Sequence, residues 1–220
     1  MSNRFFILLS LCALIGVGLA VYAFIPPAET LDRNDPRSWY ALPQPTEPSR
    51  AKSQMVAAAN PYATRAGQQI LDQGGSAVDA AIAVSLVLSL VEPQASGIGG
   101  GGFMMGYDKP SGHIRAYDGR ETAPRNVTEN LFLTDEGEPM GFFDAVIGGS
   151  SVGVPGLVRL MQALHARHGK LAWADLFAPA IALSRDGFPV SPRLADSITR
   201  YRARLAVSDA AALFLPDGEP

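Results

Sequence analysis

"VEPQASGIGGGGFMMGYD", Val91 to Asp108, sets a run of glycines between an apolar segment and a second apolar patch. Its letters Gly97-Ile98-Gly99-Gly100-Gly101-Gly102 satisfy the dinucleotide pattern G-x-G-x-x-G. Glu121 even follows at about the 20-residue spacing of a ribose-binding acid. That pattern functions only where a strand leads into the glycines and a helix leaves them, because the helix N-terminus carries the phosphates. Here the order is reversed. Ser76-Ala77-Val78-Asp79 is a capping-box variant opening a helix to about Leu90, apolar nearly all round and so expected to be buried, with Pro93 ending it. Beyond the glycines, 103–107 and 113–118 read as short strands joined by "DKPSG", a β-hairpin. The run is therefore expected to be a tight helix-to-strand corner. A wall of backbone N–H groups facing a pocket is the second possibility.

Working outward, 63–73 places Ala63, Ala66, Ile70 and Leu71 on one helical face, stopped by Gly74-Gly75. Pro155 introduces an amphipathic helix with Leu157, Leu160, Met161 and Leu164 at i, i+3, i+4 and i+7, ended by Gly169. Residues 173–185 read as helical with a break near Pro179. Ser191-Pro192 starts a last helix through Leu194, Ile198, Tyr201 and Leu205, and "FLPDGEP" reads as a turn.

The N-terminal end is different. Residues 5–25, "FFILLSLCALIGVGLAVYAFI", are apolar behind a lone Arg4. As a helix they would reach about 31 Å, enough to cross a hydrocarbon core of about 30 Å. The length exceeds the apolar region of a usual cleaved signal, although Val21-Tyr22-Ala23 offers a cleavage site. Leucine before Cys12 makes a poor lipoprotein signal. Arg4 ahead of the segment, with Glu29 and Asp32 after it, favours a cytoplasmic N-terminus and an exported body. Residues 1–25 are thus read as a signal anchor in preference to a signal peptide. The Pro-rich, polar stretch 26–52 reads as a semi-rigid tether, and 53–220 as the folded part.

Composition narrows the partners. A net charge of −3 gives no basic footprint for nucleic acid. The single cysteine, Cys12, sits in the apolar segment, so the body carries no thiolate chemistry and no disulfide. His165 and His168 lie three apart near a helix C-terminus, where the dipole favours histidine, and no third ligand makes them a metal site. His113 has no nucleophile to serve. Asp135, Glu136 and Glu138 read as a solvated loop, and Asn126-Val127-Thr128 is a glycosylation sequon relevant to a eukaryotic secretory pathway.

"MVAAANPYATRAGQQILDQGGSAVDAAIA", "EPQASGIGGGGFMM", "DGRETAP", "VGVPG" and "LSRDGF", in this order, resemble the γ-glutamyltranspeptidases, or glutathione hydrolases. The likeness runs from about Gln54 to the end. It implies an α+β chain forming part of an N-terminal-nucleophile hydrolase αββα sandwich. The precursor is exported and cuts itself into a large and a small subunit. The new N-terminal threonine of the small subunit then attacks the γ-glutamyl carbonyl, its own α-amine serving as base. Water or an acceptor amine takes the acyl group, and no cofactor is involved.

Carried over by position, Arg120 of "DGRETAP" matches the arginine that binds the glutamyl α-carboxylate, and Glu121 is expected to support it. A planar guanidinium grips a carboxylate through two parallel hydrogen bonds. Weighed against this is a surface arginine paired with Asp118 or Glu121 in a turn. No threonine here begins a Thr-Thr-His or Thr-Ser-His stretch. Ser150-Ser151 precedes "VGVPG" and does not take the role of the small subunit's serine pair.

The chain therefore reads as the first part of a large subunit, anchored in the cytoplasmic membrane and facing the periplasm or exterior. By itself it is expected to be catalytically silent. The expected partners are glutathione or another γ-glutamyl donor, an acceptor, and the missing C-terminal segment. The alternatives are an inactive membrane-tethered scaffold and a relative acting on another acyl donor, such as a cephalosporin side chain.

Overall fold

A computed structural model describes residues 49–219. The expected apolar helix over 5–25, and all but the last residues of the 26–52 tether, lie outside the described residues. Among the described residues no helix is long and apolar enough to cross a membrane.

Helix α1 (Pro61–Asp72) starts two residues before the expected Ala63. Asn60 caps it, its side chain accepting from the Tyr62 N–H at 2.9 Å, and Pro61 occupies the first turn. That is a standard start signal: a polar cap followed by a proline whose missing N–H costs nothing there. The helix buries Ala63, Ala66, Gly67 and Ile70. Gly74, at φ 86°, turns the chain out of it.

Helix α2 (Ala77–Val91) opens on the expected capping box. Ser76 Oγ accepts from the Asp79 N–H at 3.1 Å, and Asp79 Oδ2 accepts from the Ser76 N–H at 2.8 Å. No residue from Val78 to Val91 is exposed, so α2 is the buried centre its all-round apolar sequence demands. One side packs on α1 through Ala63, Ala66, Val87 and Val91. Through Ala80, Ile82, Ala83 and Leu86, α2 also clusters with Ile70 of α1, Met161 and Leu176.

Strands β1 (Gly102–Asp108) and β2 (His113–Gly119) pair antiparallel, with Phe103 opposite Asp118, Met105 opposite Ala116 and Tyr107 opposite Ile114. They make a two-stranded sheet, the expected hairpin. A short helix α3 (Phe142–Val146) follows, which the sequence reading did not anticipate. Arg204 stacks its guanidinium 3.5 Å from the Phe143 ring centroid.

Helix α4 (Leu157–His168) buries Leu160, Met161 and Leu164 as the spacing requires. A 3-10 turn (Trp173–Phe177) leads into α5 (Ala178–Asp186). The break expected near Pro179 falls at Phe177–Ala178. Pro179 sits in the first turn of α5, where a proline is tolerated. Helix α6 (Pro192–Leu205) is capped by Ser191, whose Oγ accepts from the Leu194 N–H at 3.1 Å. A short helix α7 (Ala211–Phe214), which the sequence reading did not anticipate, leads into the closing stretch, where the expected turn is a 3-10 turn over Pro216–Gly218. Leu215 packs with Leu194 and Ile198.

Two buried carboxylates fasten the helices. Asp79 is fully buried, and its Oδ2 accepts from the N–H groups of Lys170 at 2.8 Å and Leu171 at 3.3 Å besides that of Ser76. The start of α2 is thereby tied to the turn after α4. Burial pushes the Asp79 carboxyl up, but these backbone donors outweigh it and hold it below the ordinary value. Glu92 accepts from Asn60 Nδ2 at 2.8 Å and from Gln94, tying the end of α2 to the start of α1. Burial raises its carboxyl too. Donors from Asn60, Gln94 and Ser191, together with the charge of Arg193, bring it below its ordinary value.

Candidate substrate-binding site

The glycine run is a corner between α2 and β1, and none of Gly97, Gly99, Gly100, Gly101 or Gly102 has a positive φ. Close approach, not left-handed backbone, is what requires glycine here. The Gly100 carbonyl accepts from the N–H groups of Gly156 at 3.1 Å and Leu157 at 3.0 Å, joining the corner to the start of α4. The helix-then-strand order leaves no βαβ unit for a dinucleotide.

Arg120 immediately follows β2. Gly119 lies flat on α4, where an added Cβ would come 2.5 Å from Leu160 Cβ. Thr122 then bridges Val154, whose N–H donates to the Thr122 carbonyl at 2.9 Å. The Arg120 N–H donates to Asp118 Oδ1 at 2.9 Å. Its guanidinium has no hydrogen-bond or ion-pair partner among the described residues, so neither Asp118 nor Glu121 pairs with it there.

Arg120 lines an open hollow of about 500 Å³ with Asp118, Thr122, Pro155, Arg159 and Arg167. Arg159 and Arg167 are one helical face of α4, and the sequence reading missed them. Helical spacing from Leu160 and Leu164 places them beside the buried stripe, but nothing local marks them as neighbours of Arg120. Arg159 Nη1 donates to the neutral Gln162 Oε1 at 2.6 Å. Three arginines and a single acidic residue, Asp118, among the lining residues give this hollow a net positive lining suited to anions, in a chain of net charge −3.

Glu121 turns elsewhere. Its carboxylate oxygens lie over Gly100 and Gly101, where added Cβ atoms would come within 3.2 and 2.6 Å of them. It shares no hydrogen bond with Arg120 among the described residues.

The remaining candidates are dispersed. His165 Nε2 donates to the Leu171 carbonyl at 2.9 Å, while His168 Nε2 meets the Tyr117 hydroxyl at 3.0 Å. Among the described residues no group of His, Cys, Asp and Glu is arranged to hold a metal. Ser151 Oγ donates to the Val146 carbonyl at 2.7 Å and closes its own turn. His113, Asn126, Asp135, Glu136 and Glu138 are exposed.

The structure resembles crystalline Helicobacter pylori gamma-glutamyltranspeptidase, with a TM-score of 0.69 and 33% identity, over 75% of this chain and 47% of that one. That places it among the N-terminal-nucleophile hydrolases. The family profile described as Gamma-glutamyltranspeptidase matches residues 63–220. The glutathione hydrolase proenzyme of Bacillus subtilis (strain 168) is 40% identical over 169 residues, 77% of this chain and 29% of that protein. Acylase ACY 1 proenzyme of Pseudomonas sp. (strain V22) is 38% identical over 187 residues, 79% of this chain and 32% of that protein. The chain belongs to the gamma-glutamyltranspeptidase family, and it spans about three tenths of the length of these curated relatives.

Proposed function

We propose that this chain is the N-terminal part of a γ-glutamyltransferase, or glutathione hydrolase, and that Arg120 binds the α-carboxylate of the γ-glutamyl donor. The observation that carries the reading is an arginine without an acidic partner among the described residues, lining a hollow with Arg159 and Arg167; its place in "DGRETAP" supports the carboxylate role by resemblance. Glu121 supports that site indirectly, its carboxylate lying against the glycine corner beside the Arg120 backbone and not on the guanidinium. The full-length protein, continued through the segment its relatives possess, completes an αββα sandwich over the open face of the hairpin.

In that protein Arg120 fixes the glutamyl end while the reactive hydroxyl comes from the continuing segment. The threonine oxygen forms an ester with the γ-carbonyl carbon, the amide C–N bond breaks, and the departing amine takes a proton. Water or an acceptor amine then displaces the threonine oxygen and receives the acyl group. The contribution of Arg120 is orientation, which converts binding into a productive geometry. The exported, membrane-anchored location, with 5–25 as anchor and 26–52 as tether, belongs to the same proposal.

A second reading, hydrolysis of a different acyl donor, is favoured by the acylase relative. The two separate on a pair of chromogenic anilides given to the full-length protein. Faster amine release from γ-glutamyl-4-nitroanilide than from glutaryl-4-nitroanilide supports the γ-glutamyl reading. Release from the glutaryl compound alone supports the acylase, and release from neither supports the scaffold.

A further inference from the structure

The peptide bond entering Arg120 passes through a crossing that has room only for glycine. On one side lies Gly156, the residue before α4. A Cβ there would collide with the Gly119 carbonyl oxygen, and would lie 2.8 Å from the Gly119 carbonyl carbon and 2.9 Å from the Arg120 carbonyl oxygen. On the other side lies Gly101. A Cβ there would lie 2.7 Å from both the Glu121 nitrogen and the Gly119 carbonyl oxygen. Neither glycine is required by conformation. Gly156 has φ −113° and ψ −22°, open to L-residues, and Gly101 is absent from the positive-φ glycines. Most of the obstructing atoms are backbone, which cannot rotate away as a side chain does.

The two sides are also joined to each other. The Gly100 carbonyl accepts from the N–H groups of Gly156 and Leu157, so residues 119–121 run between two segments hydrogen-bonded together. Gly153 adds a third close wall, its Cβ position 2.8 Å from Glu121 Cβ.

We infer that Gly156 and Gly101 are positioning residues for Arg120, a clamp on its backbone that aims the guanidinium into the hollow. The inference rests on the reading of Arg120 as the carboxylate-binding group. It gives the glycine run a purpose in the reaction that neither a bare corner nor a phosphate loop supplies. An alanine at either position must displace the 119–121 backbone, and a misplacement of about 1 Å in an orienting group costs up to about 100-fold in rate.

The test uses the full-length protein and two donors, γ-glutamyl-4-nitroanilide and its analogue lacking the α-carboxylate, 4-aminobutyryl-4-nitroanilide. The readout is the preference for the first, as a ratio of kcat/KM values. Gly156→Ala and Gly101→Ala are expected to lose about tenfold or more of that preference, mostly through KM. Their turnover of the carboxylate-free donor stays within about twofold of the parent. Gly99→Ala is the control, because a Cβ there meets nothing within 4 Å; it should leave both donors unchanged.

An unchanged preference in both glycine variants overturns the inference, as does an equal slowing of both donors. So does failure of both variants to accumulate folded protein while Gly99→Ala accumulates normally. Arg120→Ala, run in parallel, separates the two failures. A preference lost in Arg120→Ala but kept in the glycine variants overturns the clamp alone. A preference kept in Arg120→Ala overturns the role of Arg120, and the clamp with it.

Discussion

Arg120 and Asp79 are charged groups of opposite sign put to opposite uses. Arg120 is exposed and unpaired among the described residues; Asp79 is sealed in and saturated on one oxygen. In the carboxylate-binding role proposed for Arg120 the geometry of the fork matters more than the charge, because two parallel hydrogen bonds fix the direction of a carboxylate. Arg120→Lys keeps the charge and loses one bond of the pair. A charge-assisted bond is worth about 1.5–3 kcal/mol, so KM for a γ-glutamyl donor should rise about tenfold or more, with kcat less affected. Steady-state kinetics of the full-length variant measure this.

Asp79 predicts a pH effect. Its carboxyl is lower in the folded state than in the unfolded chain, so folding is favoured by the ionised form. That stability is fully present above the ordinary carboxylate value near 3.8 and is lost as pH falls below it. Asp79→Asn should cost about 1–3 kcal/mol at neutral pH and flatten the acid limb of a stability-versus-pH curve. Urea melts between pH 2 and 7 test both, and an unaltered acid limb would remove Asp79 as its source. The local half of this role was legible, since Ser76-Ala77-Val78-Asp79 announces a capping box. The bonds to Lys170 and Leu171 were not, because they span most of the described chain and no periodicity reports them.

At the scale of elements, α2 is the axle on which the others are mounted. Its closest neighbour, α1, is allowed in by Gly67, where a Cβ would lie 2.6 Å from Val84 Cγ2 and 2.8 Å from Val56 Cγ1. Gly67→Ala sets two effects against each other. Alanine gains about 1 kcal/mol of helix propensity, while overpacking against two stiff valines costs about 1–3 kcal/mol. The sum should be a net loss, seen as a lower Tm of the full-length protein; a raised Tm would show that the helices part freely. Helix α2, the hairpin and α4 were all legible from periodicity and capping. Short elements were not: α3 and α7 are too brief for a 3.6-residue period to show. The glycine corner was legible as a corner, but its attachment to Gly156 is a tertiary fact. Arg120 was found by resemblance alone, and its hollow appears only when β2 is laid on α4.

At the largest scale, the described residues present an exposed apolar face. Phe103, Met105, Tyr107 and Ile114 stand on one face of the hairpin, between 65% and 74% exposed, while the opposite face rests on α4. A two-stranded sheet with such a face is marginal without a covering layer. The isolated 220-residue chain should therefore bind a hydrophobic dye, self-associate and release no amine from any γ-glutamyl donor. Addition of the continuing segment should reverse all three. A monomeric, dye-silent chain would show that this face needs no cover.

The most direct test of the account is the KM of the full-length protein for γ-glutamyl-4-nitroanilide before and after Arg120→Ala. The account predicts measurable amine release by the parent, and a KM at least about tenfold higher in the variant. An unchanged KM and turnover in Arg120→Ala would contradict it.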